Sequence, residues 1–145
     1  VAARKPRLVL LLSRAQRALS RAVARRTQDQ LGVSGAQMGA LFFVAGHPGC
    51  VQGDVGRELG INKAAASKLV SRMVEAGIVE RRSAADDGRA LALHVTPRGQ
   101  AAADAGRPLV RSLNDELTSG FTAADMETVA RFLTAVADRF EDPHD

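Results

Sequence analysis

The stretch that most constrains the fold is residues 53–77, GDVGRELGINKAAASKLVSRMVEAG. Within it Ala66, Leu69, Val70, Met73 and Gly77 recur at i, i+3, i+4, i+7 and i+11, which gathers small and apolar groups on one face of a helix. The opposite face carries Lys63, Ala64, Ser67, Lys68, Ser71 and Arg72, short or basic side chains throughout. Asn62 stands where an N-cap belongs, its side-chain oxygen able to accept an orphan backbone N–H. Gly60 is placed to end a preceding helix, where a left-handed residue costs glycine little. Gly56, lacking a side chain, lets the two helices cross closely. A close crossing, a sharp turn and a polar second helix are what a helix-turn-helix requires if its second helix is to enter a DNA groove. An amphipathic helix whose polar face merely meets water satisfies the same pattern, so the residues that follow must decide between the two.

Those residues are IVERRSAADDGRALALHVTPRG. Residues 78–82 form a short apolar-then-basic run, and Leu91, Leu93 and Val95 alternate with Ala92 and His94 in the period of a half-buried strand. Residues 83–88 between them are small and polar, with Asp86-Asp87-Gly88, a turn composition. The pattern predicts a β-hairpin attached to the end of the second helix, a wing decorated by Arg81, Arg82 and Arg89.

The order helix, turn, helix, hairpin resembles a winged helix-turn-helix, and its details resemble the MarR family of transcriptional regulators. The matching residues are Leu59-Gly60-Ile61 at the turn, Gly77-Ile78-Val79-Glu80-Arg81 entering the wing, Asp87-Gly88-Arg89 near its tip and Val95-Thr96-Pro97-Arg98-Gly99 leaving it. The resemblance extends over nearly the whole chain. It implies that Arg89 reaches into the minor groove beside the operator while Asp87 steadies the hairpin. It also implies a repressor whose two reading helices change their spacing when a small ligand binds. One departure concerns the first helix of the motif: the family often places a hydroxyl residue near position 51, where this chain has Val51. Gln52 or Gly53 is then expected to cap that helix.

Flanking segments are expected to be helical as well. Leu8, Leu11, Leu12, Ala15, Leu19, Ala22 and Val23 follow helical spacing over residues 6–31, beside a stripe of Arg14, Arg17, Arg21 and Arg25. Residues 8–12 are apolar all round, which implies burial on two sides. Ser34 and Gln37 form a capping box that opens a supporting helix through Met38, Leu41, Phe42 and Ala45, stopped by Gly46-His47-Pro48-Gly49. Cys50-Val51 could add a brief third strand beside the wing. Thr96-Pro97 starts a long helix, with a kink expected where Gly106-Arg107-Pro108 interrupts it. Thr122 and Asp125 open a last helix bearing Met126, Val129, Phe132, Leu133, Val136 and Phe140 on one side. That stripe and residues 8–12 exceed what one small domain can cover, so a homodimer built from the two chain ends is expected.

At 145 residues and 46% hydrophobic the chain is one domain, long enough to bury a sizeable core. The expected fold is mainly α with a small β-hairpin wing: a winged helix-turn-helix at residues 34–96, flanked by dimerisation helices at 6–31 and 97–140. Charge is distributed unevenly, with 16 Lys and Arg against 7 Asp and Glu in residues 1–100, and 4 against 9 thereafter. A basic nucleic-acid face with an acidic remainder produces that asymmetry, as does a general preference for Arg, here 17 against 3 Lys. The single cysteine, Cys50, excludes an internal disulfide and reads as a small buried hydrophobe. No apolar run reaches transmembrane length and no charged-then-apolar leader opens the chain, so a cytoplasmic protein without a membrane partner is expected.

Enzymatic chemistry finds no support in the motifs. There is no Gly-rich phosphate loop, no His-Glu-x-x-His and no nucleophile elbow, and His47 with Cys50 on a Pro-Gly turn makes no metal site. Two functions from different classes remain. One is a homodimeric regulator that binds a palindrome-like site in double-stranded DNA, with no cofactor and a possible small-molecule effector. The other is a winged-helix module for protein–protein assembly. The first is favoured by the short polar side chains, since an assembly surface more often presents aromatic or aliphatic anchors. Its candidate DNA-binding residues are Asn62, Lys63, Ala64, Ser67, Lys68, Ser71, Arg72, Arg82, Asp87 and Arg89.

Overall fold

In the computed structural model, which describes residues 7–83 and 90–140, six helices and one hairpin follow one another. They are α1 (Leu8–Leu31), α2 (Gly35–Gly46), α3 (Gln52–Leu59), α4 (Lys63–Glu75), β1 (Val79–Ser83), β2 (Leu91–Val95), α5 (Pro97–Thr118) and α6 (Ala123–Phe140). The mainly α architecture with a small hairpin is therefore the one expected. Asp86, Asp87 and Arg89, together with the rest of the expected wing turn beyond Ser83, lie outside the described residues.

The core belongs to the middle of the chain. α2 is apolar on almost every side, and it buries Met38, Ala40, Leu41 and Val44. Around it close Val55 from α3, Val70 and Met73 from α4, Val79 and Leu93 from the hairpin, and Ala103 from α5. Each large side chain removed from water here stabilises the fold by roughly 1.5–3 kcal/mol relative to exposure. The start of α2 is fixed by the expected capping box: the Gln37 N–H donates to Ser34 Oγ at 3.1 Å, and the Ser34 N–H donates to Gln37 Oε1 at 2.9 Å.

Two details depart from expectation. The N-cap of α3 is Val51 rather than Gln52 or Gly53, and the missing hydroxyl is compensated by Asp54, whose carboxylate accepts the Val51 N–H at 2.9 Å. An acidic side chain in a first turn also suits the positive end of the helix dipole. The segment before α3 does not form a third strand. It adds one rung to the sheet: the Gly49 N–H donates to the Leu93 carbonyl at 2.9 Å, and the Leu93 N–H donates to the Cys50 carbonyl at 2.8 Å. α5 runs as one helix from Pro97 through Pro108 to Thr118. Its Gly106 lies against α2, where an added Cβ would stand 2.6 Å from Met38 Sδ and 2.9 Å from Met38 Cε.

The outer helices contrast with this core. α1 buries only Thr27, whose hydroxyl donates back to the Val23 carbonyl at 3.0 Å. α6 is properly started, with the Asp125 carboxylate accepting from both the Thr122 N–H and hydroxyl and the Thr122 hydroxyl accepting the Asp125 N–H. Those bonds hold the Asp125 carboxyl below the usual carboxylate range. Yet α6 buries no residue at all, leaving Val129, Phe132, Leu133 and Phe140 exposed, as are Leu8, Val9, Leu10 and Leu11 on α1.

Candidate nucleic-acid interface

The turn between α3 and α4 is built as its glycines require. Gly60 adopts φ +60°, a left-handed conformation, and the Ile61 N–H donates to the Gly56 carbonyl at 3.0 Å. A Cβ on Gly56 would stand 3.2 Å from Ala66 Cβ and 3.3 Å from the Ile61 carbonyl oxygen, tighter than ordinary contact, so glycine lets the two helices cross without pressing on each other. Asn62 caps α4 by accepting the Ala65 N–H on Oδ1 at 2.9 Å. Ala66, Val70 and Met73 point inward, which leaves the opposite face of α4 outward.

Of the candidate residues, Asn62, Lys63, Ala64, Ser67, Lys68 and Arg72 are all exposed, and together they cover one face from the cap to the third turn of α4. Ala65 is exposed beside them and was not among the candidates; a methyl group on such a face can contact thymine. Among the described residues Lys63, Lys68 and Arg72 have no acidic partner. Arg82, also exposed, is ion-paired to Glu80 on its own strand. Ser71 differs from the rest of the face. It is half-buried, and its Oγ accepts a hydrogen bond from Arg81 Nη2 at 3.2 Å. Sequence reasoning gave Arg81 to the wing in general terms; its link to α4 depends on how the hairpin lies against the helix, which no local pattern encodes.

The hairpin pairs β1 and β2 antiparallel, with Val79 opposite Val95 and Arg81 opposite Leu93. Its base is tied to both α4 and α5. Thr96 caps α5 by accepting the Gly99 N–H at 3.0 Å, and the same hydroxyl donates to the Gly77 carbonyl at 2.6 Å. The Thr96 N–H donates to the Ile78 carbonyl at 3.2 Å. The first turn of α5 thus grips the turn that ends α4.

The helix-turn-helix and the first strand of the wing lie in the part of the chain that the MarR family profile matches, residues 31–90. The match takes in the end of α1, all of α2, α3 and α4, and β1, and it stops before β2. Over that stretch the chain is similar to the MarR family of transcriptional regulators. It is 31% identical over 88 residues to a proposed transcriptional regulatory protein for the hcr operon of Thauera aromatica, a match spanning 61% of this chain and 53% of that one, so the chain spans about half the length of this curated relative. Among solved structures, a MarR-family protein of Listeria monocytogenes in complex with a 26-mer DNA is similar at a TM-score of 0.84 and 18% identity, over 90% of this chain and 87% of that one. The PcaV regulator of Streptomyces coelicolor, solved with its natural ligand, is similar at a TM-score of 0.77 and 21% identity, over 92% of each chain. At these identities the likeness is one of fold.

Two open clefts flank α5. One, of about 420 Å³, is lined by Phe42 of α2 and by Arg107, Val110, Arg111 and Asn114 of α5. The Arg107 guanidinium lies over the Phe42 ring, 6.0 Å from its centroid. The other, also about 420 Å³, lies between α1 and α5 and is lined mainly by polar groups, including the ion-paired Arg26 and Glu116. Cys50 is half-buried beneath the reading motif. Burial, and then the nearby Asp54 carboxylate, push its thiol above the ordinary range, which disfavours the reactive thiolate. The His47 ring stacks on Phe43 at 4.4 Å. Among the described residues no group of three or more metal-ligating side chains converges, and no helix is long and apolar enough to cross a membrane.

Proposed function

We propose that the protein is a homodimeric, sequence-specific DNA-binding regulator that represses transcription from a palindrome-like operator and is released by a small ligand. The observation that carries this reading is the outward face of α4, where an Asn62 cap and exposed Lys63, Ser67, Lys68 and Arg72 stand beside an Arg-bearing hairpin. Lys63 and Lys68 suit guanine acceptors or phosphates, and Asn62 and Ser67 suit base edges. Arg72 suits the backbone. Arg89 and Asp87 are assigned to the wing contact on the family pattern alone.

Dimerisation is supported by α6, which has an ordered cap and an apolar stripe yet buries nothing against its own chain. An obligate interface formed from α1 and α6 should bury upwards of about 2,000 Å². Two-fold symmetry then requires half-sites about one helical turn apart. The cleft between α2 and α5 is the place for the effector. Phe42 and Val110 offer it apolar contact, while Arg107, Arg111 and Asn114 favour a ligand carrying negative charge. Because α5 also grips the end of α4, a ligand there acts on the element that positions the reading helix.

The test is selection of duplexes by the purified protein from a random pool, followed by sequencing. Enrichment of an inverted repeat with half-sites one turn apart supports the reading, and a pool that stays random rejects it.

A further inference from the structure

Along β1 the side chains alternate, so Val79, which is buried, and Arg81 share the inner face of the hairpin, while Glu80 and Arg82 pair on the other. Arg81 accordingly projects from the wing toward α4, where its Nη2 donates to Ser71 Oγ at 3.2 Å. A guanidinium carries five donors in a rigid planar fork, and the bond to Ser71, its one side-chain hydrogen bond among the described residues, occupies a small part of that fork. Ser71 itself stands one residue before exposed Arg72 and three after exposed Lys68, on the margin of the face assigned to the groove.

We propose that Arg81 is a phosphate-binding residue at the junction of reading helix and wing, and that Ser71 is its positioning residue rather than a reader of bases. The inference rests on the DNA-binding reading of α4. A helix lying in a groove and a wing lying beside it place the DNA backbone over the junction between them. A planar fork held there from one edge presents its other donors to phosphate oxygens in the bidentate manner that arginine favours over lysine. Ser71 fixes the fork by a neutral acceptor, so the guanidinium keeps its full charge for the phosphate. Arg82, ion-paired to Glu80, is the weaker candidate for the same task.

The experiment is a salt series of anisotropy titrations on a duplex selected by the wild-type protein and on an unrelated duplex. Arg81→Gln, which retains a donor for Ser71, should lower affinity roughly tenfold on both duplexes, as loss of a charged hydrogen bond does. It should also reduce the salt slope by about one unit per protomer. Arg81→Lys should keep the slope while losing part of the affinity. Ser71→Ala should weaken binding in the wild-type background and have no further effect in the Arg81→Gln background, because it acts only through the arginine. An unchanged slope for Arg81→Gln, or equal losses for Ser71→Ala in both backgrounds, overturns the assignment. If Arg81→Gln does not fold, Ser71→Ala combined with Arg81→Lys provides the same additivity comparison. Wild-type protein that binds neither duplex refutes the DNA reading itself, and that result appears before any variant is compared.

Discussion

Replacing Gly99 with alanine sets two effects of opposite sign against each other. Gly99 lies in the first turn of α5 with ordinary helical φ, so intrinsic propensity favours alanine by up to about 1 kcal/mol. Packing opposes it. The added Cβ would fall 1.9 Å from the Ile78 carbonyl oxygen and 2.8 Å from its carbon, both backbone atoms. Real Cβ atoms essentially never approach closer than 3.0 Å, so α5 and the Ile78 turn must separate by about 1.1 Å. That movement breaks the Thr96 N–H bond to the Ile78 carbonyl and the Thr96 hydroxyl bond to the Gly77 carbonyl. Each contributes about 1 kcal/mol net, and overpacking adds about 1–3 kcal/mol. Packing wins, by roughly 2–4 kcal/mol, which lowers the melting temperature by roughly 5–10 °C. The assay is a circular-dichroism melt at fixed protein concentration, since an oligomer's melting point depends on concentration. Gly46→Ala is the control: nothing lies within 4 Å of its added Cβ, so it should be neutral or slightly stabilising. Gly99→Ala melting at or above wild type would falsify the claim that this junction is closed.

Four further outcomes are expected. Phe132→Asp on the uncovered face of α6 should convert the proposed dimer to a monomer in light scattering; a wild-type monomer at micromolar concentration would remove both the dimer and the palindrome. Lys68→Ala should relax preference at one operator position by about 1–3 kcal/mol, whereas Arg72→Ala should weaken all duplexes alike and flatten the salt slope; identical, sequence-independent losses reject base reading by Lys68. Cys50→Ser should leave operator release by peroxide unchanged. Because its thiol titrates above the unfolded value, the stability contributed by neutral Cys50 is present below the unfolded pKa and declines as pH rises through the folded one, a loss that Cys50→Ala should abolish in alkaline denaturation series. Arg89→Ala should weaken operators with A·T-rich flanks most, and Asp87→Ala should weaken binding too; tighter binding by Asp87→Ala would contradict a steadying role.

Local chemistry made the reading motif legible. Asn62 and Gly60 act through neighbours within a few residues, Gly56 meets Ala66 across a single turn, and the Ala66, Val70 and Met73 spacing is the helix's own period. Capping boxes at Ser34 and Thr122 were legible for the same reason. What was not legible depends on contacts between distant elements. Gly106 beside Pro108 looks like a helix breaker in sequence, but its meaning comes from Met38 on another helix. The α3 cap is a local exception: Gln52 or Gly53 was expected there, but Asp54, three residues on from Val51, accepts the Val51 N–H instead. Ser71 looked like one more exposed polar group of α4, and only the approach of β1 gives it Arg81 as a partner. Side chains at the edge of a motif are decided by tertiary packing, and those at its centre by their own helix.

The uneven placement of the core also matters while the chain is being made. α1 is synthesised before the other five helices, and it keeps Leu8, Val9, Leu10 and Leu11 exposed even in the finished subunit. In the proposed dimer its cover includes α6, which is made after α1 to α5. At roughly 5–20 residues per second, translation of the intervening chain takes on the order of ten seconds. Throughout that interval the reading lobe can close around α2, while the N-terminal apolar segment has nothing of its own to lie against. The arginines at 14, 17, 21 and 25 give the waiting helix a charged flank that resists aggregation with other nascent chains. Replacing that flank with neutral residues would therefore lower the yield of soluble protein before it altered any property of the folded protein.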